Sequence, residues 1–74
     1  MNAPSDRWVE WQRDHAAALA ALQGAQHAYH RAIADGAFAG PTEGPAAAGT
    51  QKEALDALEM ARVRLDQVRA RQPE

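Results

Sequence analysis

Seventy-four residues make one small domain, 1–74, and 19 of its 34 apolar residues are alanine, which leaves 15 larger apolar side chains for a core. A chain of this size buries only about 60% of its unfolded surface, and it commonly needs a disulfide, a metal or a second chain to hold it. Cysteine is absent, and the formal charge of −2 is too close to neutral to mark the whole domain as a nucleic-acid surface. No stretch of about 18 apolar residues is present, so no membrane span is expected. The opening residues MNAPSD lack the basic and apolar regions of a signal peptide, so the expected location is cytoplasmic.

The first helix is expected over about residues 6–35. Ser5 and Asp6 are good N-caps, and Gly36 offers a stop. At helical spacing the stripe reads Trp8, Trp11, His15, Leu19, Leu22, Gln26, Tyr29 and Ile33. His15 interrupts that stripe beside Trp11, as a hydrogen-bonded seam residue or as a titrating group in an interface. His27 and His30 stand one turn apart, but no carboxylate follows one turn away on that face. No metal site, and no cofactor, is expected from them.

Residues 36–49, GAFAGPTEGPAAAG, hold four glycines and two prolines with no surviving period, and are expected to form a flexible linker. Phe38, its one large apolar side chain, is expected to cap the end of the bundle. The second helix is expected over about residues 51–71. Thr50 to Glu53, TQKE, fits a capping box, and Ala54, Leu58, Ala61, Leu65 and Val68 follow at spacings of four and three.

These elements predict an all-α fold: a two-helix antiparallel hairpin that dimerises into a four-helix bundle. Folding back about the middle of 36–49 places Arg71 beside Asp14 and leaves nothing of the second helix beside Trp8. The overhang then holds Trp8, Val9 and Trp11, a large aromatic payload suited to an interface. The expected dimer or partner interface comprises Trp8, Trp11, His15, Leu19, Leu22, Tyr29, Leu58 and Leu65. Met60 and Val63, one turn apart and off that seam, form a second apolar spot.

Chemistry finds little footing. There is no cysteine, no phosphate-loop pattern and one isolated serine, so no catalytic residue is assigned and the chain is not expected to be an enzyme. Arg62, Arg64, Arg69 and Arg71 would be the phosphate contacts of a nucleic-acid-associated regulator. They fall on both flanks of the Leu65 and Val68 seam, however, which suits aliphatic stems covering apolar edges, so nucleic acid is not the expected partner. The expected partner is a second copy or another protein, and the expected function is that of a small accessory, adaptor or regulatory subunit.

Phe38, Ala39 and Gly40, the tripeptide FAG, resemble a degenerate form of the W-x-G turn of small secreted WXG-type proteins. That resemblance covers three residues and implies a secreted helical hairpin. Tryptophan is missing from the turn.

Overall fold

The computed structural model describes residues 6–38 and 44–73. It contains two helices, α1 (Asp6–Ala37) and α2 (Gly44–Ala70), packed against each other. The predicted all-helical hairpin is therefore present. Asp6 lies in the first turn of α1, where a carboxylate faces the positive end of the helix dipole; Ser5 lies outside the described residues.

Three local expectations change, and together they reset the register. α1 does not stop at Gly36 but runs to Ala37, closed by the Phe38 N–H donating to the Asp35 carbonyl at 3.3 Å. No described glycine has a positive φ, so Gly36 is not a left-handed cap. Its value is the absence of a side chain. A Cβ there would collide with the Gln51 amide, which donates from Nε2 to the Ala32 carbonyl at 3.5 Å, and would touch Ala47.

α2 begins at Gly44, seven residues ahead of the expected start and inside the stretch expected to be linker. Pro45 falls in the first turn, where a missing N–H costs no helix bond, and three alanines follow it. Thr50 is consequently interior. Its Oγ1 donates back to the Ala46 carbonyl at 3.1 Å instead of accepting as an N-cap. The capping-box pattern was real as text, but an earlier proline and alanine run started the helix before it.

The break between the helices thus shrinks to residues 38–43. Its midpoint moves two residues toward the N-terminus relative to the middle of 36–49. In an antiparallel pair this slides every opposing residue by four, slightly more than one helical turn. The end of α2 is carried down along α1 as far as Trp11, which the sequence had left uncovered.

The core is small: among the described residues the buried hydrophobic ones are Ala18, Ala32, Leu58, Leu65 and Val68. Ala18 is fully buried, and with Leu65 and Val68 forms the centre against which Trp11, Leu19 and Leu22 pack. Two alanines among five core residues let the helices approach closely but contribute little apolar area.

Gly24 and Gly49 meet nothing within 4 Å on adding a Cβ, and both are interior to helices. Gly24→Ala and Gly49→Ala are each expected to stabilise the hairpin by about 1 kcal/mol, raising the thermal midpoint by about 4–8 °C. Thermal melts followed at 222 nm check this. A fall in midpoint for either variant would mean that the position is covered by something other than solvent.

Candidate interaction surface

The aromatic end of α1 is built as a ladder. Trp8 meets Trp11 edge to face, with centroids 5.7 Å apart and planes at 81°, and Trp11 stacks on His15 at 4.9 Å and 18°. Spacings of three and four residues bring these rings onto one helix face. All three are half-buried.

Trp11 also closes the other helix. Its Nε1–H donates to the Val68 carbonyl at 2.7 Å, and the same oxygen accepts the Arg71 N–H at 3.1 Å. The last carbonyls of a helix have no partner within it, and Trp11 supplies one to α2 from across the hairpin. The indole body packs on the core while its polar edge caps a helix end, which uses both properties of tryptophan. Beyond it, Arg7, Glu10, Asp14, Arg71 and Pro73 line a cleft of about 190 Å³, so the tail after α2 reaches the first turns of α1.

The residues expected to anchor a partner are therefore placed as follows. Trp11, Leu19, Leu22, Leu58 and Leu65 all belong to the contact between α1 and α2. Tyr29 is half-buried and lies against His30, with centroids 6.3 Å apart. Phe38, expected to cap the bundle, is 89% exposed. His27 and His30 are exposed, and no group of three potential metal ligands occurs among the described residues. Arg62, Arg64, Arg69 and Arg71 are exposed on different sides of α2.

The second apolar spot remains open. Met60 is 72% and Val63 54% exposed, and they border a groove of about 1000 Å³. Its α1 wall is Ala21 and Ala25, and its α2 wall includes Ala57 and Ala61. The expected pair Met60 and Val63 is thus joined to a notch of alanines that periodicity did not single out. A signal for it exists in the text: Ala17, Ala21, Ala25 and Ala28 recur at three and four residues. Alanine contributes little apolar area to a core, and that same small size is what makes a notch.

The fold and this surface define a class, an all-α helical hairpin with one side left open and apolar. No helix among the described residues is long and apolar enough to cross a membrane. No family model, curated protein or solved structure matches this chain.

Proposed function

We propose that this chain is a non-enzymatic protein–protein interaction module that acts in the cytoplasm and associates with itself, hairpin on hairpin, into a four-helix bundle. One observation carries the reading: Met60 and Val63 are 72% and 54% exposed and border an apolar groove between the helices, a surface that a second hairpin would cover.

The thin core supports the same reading. Among the described residues three buried side chains are larger than alanine, few for ordering two helices of 32 and 27 residues, and a second hairpin would enlarge the core without any new element. As an accessory or regulatory subunit, the dimer would present its helical faces to a further protein.

Sedimentation velocity across a range of micromolar concentrations tests the proposal. The expected result is a species of twice 8.0 kDa that dissociates reversibly on dilution. A folded species of 8.0 kDa at every concentration would sink self-association.

A further inference from the structure

We infer that the self-association surface is the groove bordered by Met60, and that its occupant is Met60 of a second copy, seated in the notch formed by Ala21 and Ala25 about a two-fold axis running along the hairpin. The inference rests on the self-association reading above and adds to it a surface, a register and a symmetry.

The register follows from contacts within one chain. Trp11 meets Val68 at one end of the hairpin and Ala32 meets Gln51 at the other, with Ala18 and Leu65 packed together between them. On that scale Met60 is level with the gap between Ala21 and Ala25, and all three border the same groove. A two-fold axis along the hairpin preserves height and exchanges the positions of the two helices, so α2 of one protomer faces α1 of the other. Each Met60 then stands opposite the partner copy's alanine notch. A closed dimer needs one surface that carries both halves of its own complement, and this groove carries knob and hole at the same height.

Size and chemistry fit the occupant. A thioether side chain is unbranched and adapts to an irregular gap, while two alanines one turn apart let a second helix approach closely. The charged groups that border the groove, Asp56, Glu59 and Arg64, all stand on α2, and the facing α1 wall of Ala21 and Ala25 carries no charge, so in the proposed arrangement no like charges meet across the contact at the notch. A two-fold across the hairpin would instead stack α2 on α2 and α1 on α1, so that no Met60 would face the alanines of α1 and both notches would stay empty.

The experiment is a size swap on the full chain, read as the dimer dissociation constant by sedimentation, with helicity as the control for folding. Met60→Glu is expected to weaken the dimer by at least about a hundredfold, since a charge would enter an apolar contact twice. Ala21→Leu fills the notch and is expected to weaken it by roughly tenfold. Ala21 and Met60 are both exposed within one hairpin, so neither change disturbs the core. The double variant Ala21→Leu with Met60→Ala moves the knob to the other helix and is expected to recover the dimer to within about threefold of wild type.

A wild-type dimer indifferent to Met60→Glu and Ala21→Leu would overturn this surface while leaving self-association standing. Single variants that dissociate with no recovery in the double variant would overturn the pairing of Met60 with Ala21. A wild-type monomer would overturn both the surface and the reading beneath it.

Discussion

Trp11→Ala is expected to lower the unfolding free energy of the hairpin by about 3 kcal/mol, near the bottom of the range for removing a large aromatic because the ring is only half-buried. Two separable contributions are lost. The indole body packs on Ala18, Leu65 and Val68, and the Nε1–H bond to the Val68 carbonyl caps the end of α2. Trp11→Phe separates them by keeping much of the ring and deleting the donor, and is expected to cost about 1 kcal/mol from the hydrogen bond. Urea titrations followed by circular dichroism measure both. If Trp11→Ala cost no more than Trp11→Phe, packing of the indole would contribute nothing and Trp11 would serve the hairpin as a cap alone. A Trp11→Ala variant as stable as wild type would remove Trp11 from the hairpin contact altogether.

Leu65→Ala is the second large effect. Leu65 is 4% exposed and packs in one buried cluster with Ala18, so truncation leaves a cavity that alanine on the facing helix cannot fill. The expected loss is about 2–5 kcal/mol. Small domains have only about 5–15 kcal/mol in total, and among the described residues three buried side chains are larger than alanine. The thermal midpoint is therefore expected to fall by about 10–30 °C. Leu55→Ala is the internal comparison. Leu55 is 37% exposed, and its truncation is expected to cost less than about 1 kcal/mol. Equal losses at the two positions would mean that the buried seam does not run through Leu65.

The two variants bear differently on the proposed dimer. Leu65 and Trp11 act inside one hairpin, so their effects are expected to be present at concentrations where the chain is monomeric. In the proposed dimer, substitutions at Met60 would act between hairpins, and their effect on stability is expected to vanish on dilution. Comparing melting curves at high and low protein concentration separates the inner seam from the outer groove.

The partition between those two surfaces was only half legible in the residues. Helical spacing showed that Trp11, Leu19, Leu22, Leu58 and Leu65 occupy apolar faces, and they do. Spacing reports which face of a helix avoids water. It does not report which neighbour covers that face, because the answer depends on the register between helices far apart in sequence. The register here turned on residues 44–49, where glycine and proline read as a broken linker but Pro45 sits harmlessly in a first turn. A two-residue shift in the middle of the connection was enough to bring Val68 over Trp11.

Gly36 makes the same point at one position. Read locally, a glycine after a long apolar stripe is a helix stop. In the fold it is a helical residue whose missing side chain leaves room for Gln51 to reach the Ala32 carbonyl. Local chemistry admits both roles, and only the approach of α2 chooses between them.

The amino-acid sequence by itself determined that this protein is two helices folded back on each other, since two stretches of helical periodicity separated by a glycine- and proline-rich break are properties of neighbouring residues. It also marked Met60 and Val63 as lying off the seam, because a single helix has only one face to give to its partner. Tertiary structure alone decided that Trp11 caps α2, and that Met60 rises level with an alanine notch. Both depend on the axial offset between two helices, a quantity set by where the connection between them begins and ends and carried by no single stretch of the chain.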